Sequence, residues 1–218
     1  MLVNTKITMN RAIESEKLTR ATFRRAVKYL CDRDPDLARV IVDYGHPPMW
    51  LRKPGFSTLV YIILGQQISL ASARATFDRL REAARPLTPY RFLTLDDTAL
   101  HDIGFSRQKT YYCRQLSLSI RQKELKLFEL ENMDNKTARS ELTKIKGIGP
   151  WTADIYLLMA LRRPDIWPST DLAIAVATQK LKKIPVRPGV DKLNEISNLW
   201  RPWRSVAARV LWHYYLSR

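Results

Sequence analysis

The sequence predicts an all-α protein. Apolar residues recur at three- and four-residue spacing in segment after segment from Leu18 to the C-terminus. No alternation of strand length persists anywhere along the chain. Cap and breaker residues (Asp or Ser ahead of the periodic runs, Gly and Pro behind them) divide the chain into helices of ordinary length.

Met1 to Glu16 is polar and weakly patterned, and partial disorder is expected there. Leu18 to Cys31 reads as a helix, with Phe23, Val27, Leu30 and Cys31 on one face and Arg24, Arg25 and Lys28 on the other. Asp34-Pro35 is a cap-and-start pair for a short helix reaching about Tyr44, which Gly45-His46-Pro47-Pro48 ends. After the break at Pro54-Gly55, Ser57 can cap a long helix whose core face is Leu59, Ile62, Ile63, Leu70 and Phe77. Gly65-Gln66-Gln67 interrupts that run with a flexible point and two amides, which donate and accept together as base edges do. Asp96 and Asp97 cap a helix stopping at Gly104. Ser106 caps the next, which runs toward Lys123 and is made basic by Arg107, Lys109, Arg114 and Arg121. Such a charge run most often faces solvent.

Leu142 to Asp171 organises the rest. Lys146-Gly147-Ile148-Gly149-Pro150 combines two glycines, which permit a tight positive-φ turn and leave the backbone uncovered, with a proline suited to the first turn of a helix. A short helix over Thr137–Thr143 precedes it, and a helix with Trp151, Ile155, Leu158 and Leu161 on one face follows, ending at Arg162-Arg163-Pro164-Asp165. A helix, Gly-rich hairpin, helix unit of this kind offers amides to a phosphate. It is equally a plain loop between packed helices. Asp171 stands at the start of the next apolar run, Leu172, Val176 and Leu181, either as a cap or as a functional carboxylate. A loop over Pro185–Gly189, another helix, Trp200 to Trp203 and a last helix with Val206, Val210 and Tyr214 complete the chain.

The composition narrows the function classes. Lys plus Arg number 37 against 21 Asp plus Glu, for a net charge of +16 and a pI near 10.1. A globular chain this basic most often meets a polyanion, nucleic acid first, with an anionic membrane surface or an acidic protein partner as the other candidates. Cys31 and Cys113 read as buried reduced thiols and cannot ligate a four-cysteine cluster. His46, His101 and His213 lack zinc spacing, so no metal is expected. The longest apolar run, Leu59–Leu64, falls far short of the roughly 20 residues that span a bilayer, and the N-terminus lacks a signal-type apolar region. The expected location is a reducing, DNA-containing compartment: cytoplasm and nucleoid, or a nucleus.

The stretch with its hairpin, Gly/Pro-rich loop and Asp resembles the base-excision DNA glycosylase superfamily, and within it the 3-methyladenine DNA glycosylase II family. Ile63-Leu64-Gly65-Gln66-Gln67-Ile68-Ser69, Gly104-Phe105-Ser106-Arg107-Gln108-Lys109 and Trp200-Arg201-Pro202-Trp203-Arg204-Ser205 resemble that family's segments in the family's order. The resemblance implies two helical lobes with an active-site cleft between them. One is built from residues 1–55 and 164–218. The other is residues 56–163 and carries the hairpin motif at about 137–161. It implies Asp171 as the catalytic residue in that cleft, and Lys146, Gly147, Ile148, Gly149 and Thr152 at the DNA backbone. Gln67, with Gln66 beside it, would fill the gap left by a flipped nucleotide. Trp151 and Trp200 or Trp203 would form the base pocket, because electron-rich rings attract a cationic methylated purine. This chain has too little sequence before Phe56 for the N-terminal β domain of some members.

Bifunctional relatives place a nucleophilic Lys at the second position after the G-x-G. Here that position is Trp151, which favours a monofunctional enzyme using water. The expected partner is double-stranded DNA with damaged bases, bound by a monomer with no cofactor, a monovalent cation at the hairpin backbone excepted. Two alternatives stay open: a helix–hairpin–helix module that only binds DNA, and a bifunctional glycosylase-lyase.

Overall fold

The computed structural model describes residues 17–218; the expectation for Met1–Glu16 lies outside them. Among the described residues there are twelve α-helices and no strand. The chain divides into two compact units. One runs from the described N-terminus to Leu51 and again from Leu157 to Arg218; the other is Arg52–Tyr156.

The first unit contains α1 (Arg20–Cys31), α2 (Pro35–Tyr44), α10 (Leu172–Leu181), α11 (Val190–Ser197) and α12 (Arg204–Leu216). Thr19 caps α1 by accepting from the Thr22 amide, and Asp34 caps α2 from ahead of Pro35. α12 packs against α1, α2 and α10, and Val206, Val210, Leu211, Phe23, Val27, Leu37 and Ile174 on these helices are all buried. The Leu18 amide donates to the Arg162 carbonyl at 2.8 Å and ties the two chain ends together.

The second unit contains α3 (Phe56–Leu64), α4 (Leu70–Ala83), α5 (Pro89–Leu93), α6 (Asp97–Ile103), α7 (Arg107–Arg121) and α8 (Asn135–Thr143). Its core holds an aromatic row, Phe56–Phe92–Phe105, with ring centroids 6.2 and 5.8 Å apart. α9 (Pro150–Met159) begins here and ends in the first unit.

The unit boundaries fall a few residues from those expected, for local reasons. The Gly55 amide donates to the Tyr156 hydroxyl at 2.9 Å, which holds residues 52–55 in the second unit. The Leu157 and Leu158 carbonyls accept from the Arg163 amide and the Arg209 guanidinium, which places the last turn of α9 in the first.

Two helix expectations change. The run after Gly55 is two helices, because Gln67 adopts φ +58° and Ser69 caps α4 afresh by accepting from the Ser72 amide. Gly55, not Ser57, precedes α3, with no side-chain cap. The helix after the hairpin stops at Met159, short of Leu161, where Arg162 turns left-handed at φ +58°.

Asp34 does more than cap. It is fully buried, and accepts from Lys182 Nζ at 2.5 Å and from Trp200 Nε1 at 2.7 Å. Burial pushes its carboxyl up, but the bonds from Lys182 and Trp200 outweigh this and hold it below the ordinary carboxylate value. A depressed folded pKa contributes stability above the unfolded value of about 3.9, which is lost as pH falls through the folded value. Asp34→Ala, which strands the buried Trp200 N–H and leaves Lys182 with Asp36, is expected to cost about 1–3 kcal/mol. Urea unfolding of wild type and Asp34→Asn at pH 7 and pH 3 checks the linkage: the gap between them should narrow at the lower pH.

Candidate functional site

The hairpin lies wholly in the second unit. Ile145 accepts from the Ile148 amide at 3.0 Å and closes the turn, and Gly149 starts α9 by accepting from Ala153 at 3.0 Å. Gly147 sits at φ +95°, directly on the Tyr112 ring; an added Cβ would lie 2.2 Å from Tyr112 Cγ. Gly149 takes no positive φ and faces open space, with nothing within 4 Å of an added Cβ. The two glycines therefore do different work. Gly147 is required by backbone conformation and by close approach, whereas nothing in the chain crowds Gly149. Lys146 is exposed beside this turn, Ile148 is buried beneath it, and Thr152 is buried one step into α9.

Gln66 and Gln67 separate sharply. Gln66 turns inward, its Nε2 donating to the Gly147 carbonyl at 3.0 Å and to Thr152 Oγ1 at 2.9 Å. It braces the hairpin from beneath. Gln67 is exposed in the left-handed region. The turn that presents it is fixed from below as well, by Lys109 Nζ donating to the Leu64 carbonyl at 2.6 Å. Burial draws the Lys109 amine below its ordinary value, so Lys109 belongs to the loop's support and not to a solvated face. Arg114 likewise donates to the Leu95 carbonyl and to Asp97, at 2.9 and 2.6 Å.

Asp171 lies in the first unit, 8% exposed. It caps α10: Oδ1 accepts from the Ile174 amide at 3.0 Å. The same oxygen accepts from Trp212 Nε1 at 3.1 Å. A cap requires only the backbone donor. The indole donor, 41 residues away on α12, is additional, and it joins the carboxylate to an aromatic surface. Trp50 stands edge-on to Trp212 at 6.3 Å between centroids and 76° between planes.

Sequence reasoning did not single out Trp50 and Trp212, which stand beside Asp171, and named Trp200 and Trp203, which the structure places in the core. Trp200 is 0% exposed, with its N–H given to Asp34 and its ring edge-on to Trp167. Trp203 is 4% exposed and packs near the Arg25 guanidinium. Neither offers a face to a base. The segment containing them is a structural clamp: Arg201 and Arg204 donate to buried Asp165, at 3.0 Å and at 2.7 and 2.8 Å, and Ser205 Oγ accepts from the Ile166 amide at 2.9 Å. The one available signal was position, since Trp212 lies three residues after Arg209 on an otherwise apolar helix face. Trp151 is half-buried at the start of α9, which leaves part of its ring accessible. No group of three or more His, Cys, Asp or Glu among the described residues is arranged to hold a metal ion, and no helix there is long and apolar enough to cross a membrane.

Comparison with known proteins now bears on this geometry. Residues 60–202 match the family described as HhH-GPD superfamily base excision DNA repair protein. A DNA-3-methyladenine glycosylase of Bacillus subtilis is 33% identical over 169 residues, which are 72% of this chain and 56% of that protein's length. DNA-3-methyladenine glycosylase 1 of Schizosaccharomyces pombe is 27% identical over 184 residues, 81% of this chain and 79% of its own. A structure of 3-methyladenine DNA glycosylase from the same yeast, in complex with abasic DNA, superposes with a TM-score of 0.80 at 26% identity, covering 86% of this chain and 95% of that one.

The two glycines give opposite expectations. Gly147→Ala forces a left-handed alanine, costing about 1–2 kcal/mol for the backbone alone, and pushes on Tyr112 besides; its Tm should fall. Gly149→Val should keep the wild-type Tm, and on the expectation that the hairpin amides receive a backbone phosphate it should bind every DNA sequence more weakly, because phosphate contacts carry no sequence information. Thermal unfolding beside DNA titration of both variants checks this. A Gly149→Val protein that binds DNA as wild type would contradict it.

Proposed function

Starting from a chain that belongs to the HhH-GPD superfamily of base excision DNA repair proteins, we propose that this protein is a monofunctional DNA glycosylase. It flips alkylated purines of the 3-methyladenine type out of the duplex and hydrolyses the N-glycosidic bond, leaving an abasic site. The observation that carries the reading is Asp171, a nearly enclosed carboxylate held at a helix N-terminus by its own cap and by a tryptophan N–H, and lying inside the family-matched residues 60–202; Asp34 has the same kinds of donor but lies outside that match and is bound to Lys182. A protein that only binds DNA gains nothing from such a group, since a carboxylate near phosphates weakens binding. The names of the relatives supply the substrate class.

Each residue then has a role. The net charge of +16 draws in the duplex. Amides at Gly147 and Gly149 and the start of α9 receive a backbone phosphate, with Lys146 beside them. Extruding the nucleotide costs a few kcal/mol of stacking and pairing, least for a damaged base. Gln67 takes the vacated space. Base departure leaves positive charge on the deoxyribose, which the ionised Asp171 stabilises while orienting water. A methylated purine bearing positive charge is a good leaving group, so one carboxylate suffices without a strong general acid. Trp212 and Trp50 are the aromatic surfaces proposed for the cationic base. Trp151 holds the position where lyase relatives keep Lys, so no amine there forms a Schiff base. The duplex places the enzyme in a DNA-containing compartment.

Asp171→Asn tests the proposal. Asparagine also caps helices and accepts hydrogen bonds, so Tm and duplex affinity should stay at wild-type values. The single-turnover rate of base release should fall by about 10²–10³, the scale seen when a charge-stabilising group is lost. Base release at the wild-type rate would reduce Asp171 to a cap. Borohydride added during wild-type turnover should trap no protein–DNA adduct; a trapped adduct would make the enzyme a lyase.

A further inference from the structure

We infer that Arg209 is a positioning residue for the Asp171 carboxylate, acting through Trp50 and Trp212; the inference rests on the glycosylase reading above. Arg209 is completely enclosed within α12 and, among the described residues, meets no carboxylate. Burial draws its guanidinium down to about 9, which leaves it cationic at neutral pH. An unpaired buried cation is costly, and an apolar residue of similar volume is commonly no worse for stability. What the guanidinium does is directional. Nε donates to the Met49 carbonyl at 2.9 Å, Nη1 to the Ser205 carbonyl at 2.8 Å and Nη2 to the Leu158 carbonyl at 2.9 Å. One planar group therefore ties α12 to the end of α9 and to the segment following α2.

The bond to Met49 matters most. That carbonyl belongs to the peptide plane leading into Trp50, so its orientation sets the Trp50 φ. Trp50 sits at φ +44°, a left-handed conformation seldom adopted by a bulky residue, which persists only where the surroundings over-determine it. In that conformation its ring stands edge-on to Trp212, and Trp212 gives its indole N–H to Asp171. Arg209 and Trp212 are also three apart on one helix and share a face. Without the guanidinium, the Met49–Trp50 peptide is free to turn, Trp50 relaxes away from the left-handed region, and Trp212 loses the ring that fixes its rotamer. The Asp171 carboxylate then loses a donor while its cap remains.

The experiment uses the full chain with ¹⁵N-labelled tryptophan, the Trp212 indole signal being assigned by its loss in Trp212→Phe. Hydrogen exchange of that indole and single-turnover base release from a methylated duplex are read together with duplex affinity. Arg209→Met should exchange the Trp212 indole at least tenfold faster. It should release base at least tenfold more slowly while binding duplex as wild type, and Arg209→Lys should restore part of both. In a Trp212→Phe background, Arg209→Met should lower the rate by less than threefold more, because the linkage is already cut. Trp50→Ala leaves the Arg209 bonds in place and should speed indole exchange to the same degree, which keeps the test open if Arg209→Met does not fold. Unchanged indole exchange in Arg209→Met or Trp50→Ala overturns the inference. So does a rate loss that only follows the folded fraction, or one fully multiplicative with Trp212→Phe. If wild type releases no base yet Arg209→Met still frees the indole, the glycosylase reading fails and the Arg209-to-Asp171 linkage stands.

Discussion

A carboxylate taken out of water must be met by hydrogen-bond donors or it is too costly to bury. The unit built from the two chain ends is organised around that constraint. Asp34, Asp165 and Asp171 are all nearly or fully enclosed. Each is met by donors from the last stretch of the chain: Trp200 for Asp34, Arg201 and Arg204 for Asp165, and Trp212 for Asp171. Lys182 adds to the first and the Ile174 amide to the third. The final residues therefore act as a row of donors that fix α2, the segment before α10, and α10 itself. Two of these clamps are structural. The third, at Asp171, is made as the one at Asp34 is, by a helix cap and by a tryptophan N–H whose ring stands edge-on to a second tryptophan. In the proposed mechanism, a group fixed this way stabilises developing charge without reorganising at the moment of reaction.

The second unit solves a different problem, that of presenting bare backbone. Gly147 lies on Tyr112, while Gln66 and Lys109 hold the neighbouring turn from beneath. These contacts use up the polar side chains that could have competed for a phosphate, and they leave Gly149 open and Gln67 outward. The segments Gly65-Gln66-Gln67, Gly104 to Lys109 and Gly147 to Gly149 are far apart in sequence, and hydrogen bonds and ring contacts join them. Their order along the chain is a consequence of one supported surface.

The helices were legible from the sequence because their signals are local. Asp34-Pro35, Asp96, Ser106 and Gly104 each mark a boundary within a residue of where it falls. The turn between two helices was legible too, since two glycines permit it and a proline suits the first turn of a helix, but those residues alone did not separate a phosphate seat from a plain loop. Side-chain roles were less so. Nothing local distinguishes Gln66 from Gln67, because the difference is a left-handed φ and a partner 81 residues away. Trp200 and Trp203 sit in a segment that resembles the family, yet serve as core; Trp212, in a plain apolar helix, is the one that reaches Asp171. A periodicity argument sees that a tryptophan is apolar and cannot see where its N–H points. The helix break after Leu64 was read as a flexible point in one long helix for a similar reason, since Ser69 becomes a cap only once Gln67 has turned.

The Asp171 site is proposed to break the bond between a damaged base and its sugar, and to break no other. The direct measurement is chromatography of what a methylated duplex releases on incubation with the wild-type protein, beside a denaturing gel of the same DNA. The account predicts free methylated purines in solution and a strand that stays intact until alkali or heat cleaves it at abasic sites. A duplex that is bound, with an affinity falling steeply as salt rises, but that yields no free base would contradict it, and would leave the hairpin as a DNA grip with Asp171 as no more than the cap of α10.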